Sequence, residues 1–141
     1  MARIKLDLPN ELFFKTELTV RIGDINYGGH LANDAVLSLA HETRIRYLKH
    51  LGFSEMDCGG ASLIMADSVV VYKSEAFHGE ELIAETGIGD IENFGFDFYY
   101  RFMNKLTGKE VARVKTGMVF FDYHSRKITK TPRLFTEKVL S

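Results

Sequence analysis

The sequence predicts an α+β domain in which one long helix packs on an antiparallel sheet. Three observations carry this. Apolar residues recur at three- and four-residue spacing over a single stretch, at Val36, Leu37, Ala40, Tyr47, Leu48 and Leu51. From Ala61 onward the pattern changes to β-branched and aromatic runs with alternating polarity. The connections between those runs are short, which implies an antiparallel meander.

The helix ends at Gly52, a left-handed stop, with Arg46, Lys49 and His50 where the helix dipole favours positive charge. Asn33 or Asp34 supplies the N-cap. Ahead of it, Phe13 to Arg21 alternates as a first strand. Residues 1–11, broken by Pro9 and Asn10, form a loose arm. After the helix, Phe53 to Gly60 is an irregular link in which Phe53 and Ser54 open a short helical turn. Four strands follow, at Ser62–Ser74, Glu81–Ile91, Gly95–Asn104 and Lys109–Tyr123, with Lys105 to Gly108 as a hairpin turn. Residues 131–141 form a short helix or tail, since Pro132 suits a first helical position. One helix covers only one face of such a sheet. The other face, or an edge, keeps apolar side chains in need of cover, so a homo-oligomer is expected, dimer or tetramer.

The 141 residues suit one domain, residues 1–141, and the 45% apolar content supplies a core. A net charge of -1, with no basic run longer than two, excludes an electrostatic case for nucleic acid or an anionic membrane. The single cysteine, Cys58, reads as a buried bystander and excludes an intrachain disulfide framework. Residues 1–20 carry no apolar leader core, and no stretch is long enough for a membrane span, so a cytoplasmic protein is expected. His30, His41, His50, His78 and His124 lie in separate elements, so neither a metal nor a bound cofactor is expected.

The chemistry concentrates in the loop before the helix, Gly23-Asp24-Ile25-Asn26-Tyr27-Gly28-Gly29-His30. Its glycines let the backbone approach a ligand closely. The helix amides near Ala32 and Asn33 point to the same place and can polarise a carbonyl. Asp24, Asn26 and His30 bring polar side chains to that mouth.

Arg21-Ile-Gly-Asp24-Ile-Asn26-Tyr-Gly-Gly29-His30-Leu31-Ala32-Asn33 resembles the motif [RY]-x-x-D-x-D-x-x-G-H-[VL]-N-N of hotdog-fold thioesterases of the 4-hydroxybenzoyl-CoA thioesterase-like branch. Tyr72 to Leu82 is similar to that family's turn between its second and third strands. Val119-Phe120-Phe121-Asp122 with Thr131-Pro132 is similar to its closing strand and prolyl turn. The resemblance implies a hotdog fold, about five antiparallel strands wrapped around one central helix, and hydrolysis of an acyl-CoA or acyl carrier protein (ACP) thioester, with CoA present only as part of the substrate. It also marks a departure. The family's catalytic carboxylate is the second Asp of D-x-D, and here that position is Asn26, which cannot ionise and is a poor nucleophile. Plant-type acyl-ACP thioesterases, a cousin branch, are similar in keeping a His at His30 and a Glu at Glu75.

On these residues the expected site has His30 as general base, Glu75 orienting it or taking the proton, Asn26 orienting water or the carbonyl, and Asp24 bracing the loop. Gly29, Leu31, Ala32, Asn33, Glu42 and Asp67 are the candidates for binding substrate. Glu42 also reads as an ion pair with Arg46, and Asp67 as a residue of either a wet face or the substrate groove. Tyr99, Tyr100, Phe94, Phe96 and Phe98 read as core or acyl lining. Two other functions stay open. One is a hydroxyacyl dehydratase using His30 with Glu42. The other is an acyl-thioester binder that has lost its carboxylate at Asn26.

Overall fold

The computed structural model describes residues 3–140; Met1, Ala2 and Ser141, the outer ends of the expected arm and tail, lie outside the described residues. The elements follow as β1 (Phe14–Thr19), a turn of 3-10 helix (Ile22–Asp24), α1 (Asn33–Leu51), β2 (Ser62–Tyr72), β3 (Glu81–Gly89), β4 (Gly95–Asn104), β5 (Glu110–Asp122), β6 (Lys127–Ile128) and α2 (Arg133–Leu140). The expected helices and strands are all present. The helical turn expected at Phe53 and Ser54 is not. There, Ser54 and Asp57 close a turn on each other, the Ser54 amide donating to the Asp57 carbonyl and the Asp57 amide to the Ser54 hydroxyl.

The sheet order is β1-β3-β4-β5-β2, with β6 paired to the end of β5. Only β3, β4 and β5 form a meander; β2 pairs with β5 rather than with its neighbour in sequence. The reason is one of free edges. β3 is flanked by β1 and β4, so β2 finds its partner at the open side of β5.

Alternation sends Phe96, Phe98, Tyr100 and Phe102 of β4 and Ala112, Val114, Thr116, Met118 and Phe120 of β5 to one face, where all are buried. Helix α1 lays Val36, Leu39, Ala40, Thr43, Tyr47 and Leu48 on that face. Phe135 of α2 closes one end of the core against Phe53, Phe96 and Phe120. The aromatic residues therefore divide: Phe96, Phe98 and Tyr100 are core, while Phe94 is half exposed and Tyr99, on the other face, bonds Asp90.

The arm has no regular structure, yet it is seated on the outer face of the sheet. Arg113 donates to the Leu6 carbonyl at 3.0 Å. Gly87 lets the chain pass close, since a Cβ there would lie 3.1 Å from the Glu11 carbonyl oxygen.

Candidate functional site

The loop before α1 is held by short bonds to its own backbone. Asp24 is buried; its carboxylate accepts from the Arg21 amide at 2.9 Å, and its carbonyl accepts from the Ala32 amide at 2.8 Å. The Asn26 side-chain oxygen accepts from the Gly28 amide at 3.0 Å and the His30 amide at 3.4 Å. Gly29 completes the turn at φ +83°, a conformation that suits glycine. Gly28 leaves room for the imidazole, because a Cβ there would lie 3.4 Å from His30 Nε2.

The loop docks on the segment that follows β2. Leu31 donates to the Ala76 carbonyl at 2.7 Å, and His30 bridges Phe77 through the backbone. This pairing brings His30 to Glu75, which are far apart in sequence. His30 Nδ1 donates to the Leu31 carbonyl at 3.2 Å, so Nε2 carries the free lone pair of the neutral ring. Nε2 stands 4.0 Å from Glu75 Oε1, too far for a direct hydrogen bond and close enough for one bridging water. Glu75 is exposed and His30 half-buried.

Helix α1 begins one residue earlier than expected. Ala32 is the N-cap, with no side-chain cap bond, and neither Asn33 nor Asp34 caps the helix. The Leu31 and Ala32 amides are taken by Ala76 and Asp24, so the amides that open the helix uncapped are those of Asn33 and Asp34. The first of these residues, Asn33, lines a cleft of about 220 Å³ whose walls also include His30, Tyr72, Lys73 and Glu75 and whose floor is Leu31, Val36, Ala76 and Val111.

Two expected residues do not join this cleft. Glu42 is exposed on α1, paired with Arg46 at 2.8 Å, and lines a separate groove beside β1. Asp67 follows a β-bulge between Met65 and Asp67 that turns it to the outer face of the sheet. There it accepts from Lys115 at 2.8 Å and from the Gly117 amide at 3.1 Å, and the Lys115 bond, the largest influence, holds its carboxyl below the usual range. Sequence reasoning passed over Tyr72 as a site residue. Its hydroxyl donates to the Asn33 carbonyl at 3.0 Å across the cleft mouth, and its only signal was its place in the Tyr72-to-Leu82 stretch. Among the described residues no group of three His, Cys, Asp or Glu side chains is placed to hold a metal, and no helix is long and apolar enough to cross a membrane.

The family model for the thioesterase-like superfamily matches residues 20–139. The chain belongs to the thioesterase-like superfamily. The enzyme class that this membership carries is the one expected from the sequence, a thioester hydrolase. Among solved structures, a 1,4-dihydroxy-2-naphthoyl-CoA thioesterase from Synechocystis superposes with a TM-score of 0.83 at 19% identity, over 91% of this chain and 96% of that one. A gentisyl-coenzyme A thioesterase gives 0.77 at 14% identity, over 89% and 99%. A DHNA-CoA thioesterase from Staphylococcus aureus gives 0.77 at 21% identity, over 87% and 83%. At these identities the likeness speaks to fold, and the fold of this superfamily member is the hotdog. No curated protein matches the chain.

Proposed function

We propose that the protein hydrolyses acyl thioesters of CoA, or of acyl carrier protein, in the cleft at the start of α1. The observation that carries this is the meeting of His30 and Glu75 at 4.0 Å beside uncapped helix amides. In this reading the thioester carbonyl oxygen sits at the Asn33 and Asp34 amides, which stabilise the negative charge that develops on it. His30 Nε2 takes a proton from water as the water oxygen bonds to the carbonyl carbon. The carbon–sulfur bond then breaks, and the imidazolium returns the proton to the departing thiolate. Glu75 stabilises the imidazolium through its charge. Asn26 spends its oxygen on two loop amides, which leaves its NH2 as a donor towards carbonyl or water. Asp24 is the brace that sets the height of the loop. No metal enters the scheme.

The assembly we propose is a homo-oligomer built first by pairing copies along β2. This strand is an outer edge of the sheet, and its segment from Met65 to Ser68 is exposed. A cytoplasmic location fits the lone thiol Cys58, which is fully buried and whose pKa burial pushes up to about 12, so that it stays an inert thiol.

Release of free CoA from acetyl-, hexanoyl-, palmitoyl- and benzoyl-CoA tests the reading, with wild type beside His30→Ala. Turnover that falls about 10²-fold in the variant is expected. Equal turnover in both would remove His30 from the chemistry. A second reading, an acyl-thioester binder without catalysis, is favoured by one observation, the use of Asn26 as a loop acceptor where an ionised carboxylate would serve chemistry. Tight binding of every acyl-CoA with no CoA release would decide for it.

A further inference from the structure

We propose that the N-terminal arm is a strap that closes the outer face of the sheet and so stops assembly at a dimer. This rests on copies pairing along β2. Helix α1 covers one face of the sheet, and the other face needs a cover of its own. Here that cover comes from the same chain. The arm runs back from β1 across the outer face. Glu11 and Leu12 pass over Gly87 of β3, Pro9 lies over Gly89, and the Leu6 carbonyl accepts from Arg113 of β5 at 3.0 Å. Leu6, Leu8, Pro9 and Leu12 are half-buried, while Lys5, Asp7, Asn10 and Glu11 are exposed. The seat is cut into the strand itself. A Cβ at Gly87 would stand 3.1 Å from the Glu11 carbonyl oxygen and 3.2 Å from Leu12 Cα, so the missing side chain is what lets the arm backbone lie flat on β3.

The rest of that face offers a second copy little. Its charges are already paired within the chain: Arg101 with Glu85 at 2.8 Å, Arg113 with Glu110 at 3.0 Å and Lys115 with Asp67 at 2.8 Å. Its apolar side chains Ile83, Tyr99, Met103, Val119 and Phe121 are all half-buried. Among the described residues of β1 to β5, the exposed large apolar side chains are Met65 and Tyr72, and both belong to β2, the edge where a second copy pairs. A copy stacking on the outer face would have to lift the arm first. Lifting it would bare the strands beneath and free Leu6, Leu8, Pro9 and Leu12 together, an apolar strip that needs new cover.

The test uses the full chain as wild type, Gly87→Val and Leu8→Asp. Valine suits a strand, and its methyls extend from a Cβ that already meets the arm backbone. Leu8→Asp loosens the arm from its own side and leaves every residue of the sheet unchanged, so it serves even if Gly87→Val fails to fold. Light scattering over a wide range of concentration gives the mass, and the rate of tryptic cleavage after Lys5 reports whether the arm is seated. Wild type is expected to hold at about 32 kDa, twice the 16.0 kDa of the chain. Both variants are expected to be cut about tenfold faster or more, with a mass that climbs with concentration towards about 64 kDa. A tetrameric wild type overturns the inference, and so do variants whose arm is released and which remain dimers. An arm cut as fast in wild type as in the variants is not seated, and that overturns it too. A wild type that stays monomeric while the variants associate leaves the arm in its role and overturns the pairing along β2 instead.

Discussion

Two of the polar systems that touch α1 differ in how completely they are bonded. Around Arg44 every link is short. Arg44 Nε donates to Glu55 at 2.9 Å, the other Glu55 oxygen meets His41 Nε2 at 2.9 Å, and Arg44 Nη1 donates to the Tyr100 hydroxyl at 3.1 Å. That hydroxyl shares a 2.8 Å bond with Thr116 in the middle of the core. Around His30 there is one 3.2 Å bond to a carbonyl and a 4.0 Å gap to Glu75. Exposure divides less cleanly: the Arg44 side chain is 7% exposed and that of Glu75 65%, but His41 at 56% is more exposed than His30 at 32%. The Arg44 charge is paired and hydrogen-bonded where it is buried, Nε to the Glu55 carboxylate and Nη1 to the Tyr100 hydroxyl, which is what keeps a charge tolerable among aromatic rings. A group that must receive a water and a carbonyl needs spare capacity, and the His30 system has it. Incomplete bonding at the cleft is thus the feature that separates the proposed site from the structural clamp.

The sharpest way to break this contrast is to cut the clamp. Glu55→Ala leaves Arg44 charged, buried and without its carboxylate, and should cost about 3–5 kcal/mol in chemical denaturation. A loss below about 1 kcal/mol would mean that the network is no more saturated than the cleft. His30→Ala should do the reverse, lowering hydrolysis about 10²-fold, about 2.7 kcal/mol in activation free energy, with little change in the denaturation midpoint. An unfolding effect as large as that of Glu55→Ala would place His30 among the structural residues.

Acid pH sharpens the comparison further. Burial alone would raise the Glu55 carboxyl, but the hydrogen bond from His41 and the charge and bond of Arg44 outweigh it and hold it below its ordinary value. A carboxyl whose pKa falls on folding contributes stability above its unfolded pKa, about 4.3 for glutamate, and loses it as pH drops through the folded value. Stability should therefore decline below about pH 4. Glu55→Gln should flatten that decline when unfolding is followed between pH 6 and pH 3. An unaltered acid slope would assign the decline to other carboxylates.

Much of this was legible in the sequence, and the failures have physical causes. The helix and strands announce themselves through periodicity, because burial on one face needs the same spacing wherever the chain goes. The place of β2 beside β5 does not, since it depends on which strand edges remain free once β1 has paired with β3. His30, Asn26 and Glu75 were singled out from the loop and the resemblance, and the structure brings His30 to within 4.0 Å of Glu75. The choice for Asp67 between a wet face and the substrate groove stayed open because a single bulged residue reverses the inward and outward alternation of everything after it, and Met65-Ala66-Asp67 shows no mark of that bulge. The N-cap was misjudged because polar Asn33 and Asp34 look like caps, whereas the Ala32 amide is held by the Asp24 carbonyl, a loop contact with no local pattern. Tyr72 was missed as a site residue because its partner lies across the fold, at Asn33.

The smallest expected effect comes from Asn26→Asp, and it probes the boundary between the two kinds of bonding within the cleft itself. The Asn26 oxygen behaves as a structural acceptor, taking two amides of its own loop. A carboxylate presents an oxygen of the same size at the same place, so the loop should keep its shape and the denaturation midpoint should stay within about 0.5 kcal/mol. The group exchanged is the NH2 donor for a second acceptor. If the chemistry runs through His30 and the helix amides, hydrolysis should be preserved or rise by a few-fold, since a carboxylate there adds a further base. A collapse of CoA release with the fold intact would show that the NH2 of Asn26 holds the carbonyl or the water. Its spare donor, and not its saturated oxygen, would then be the working half of the residue.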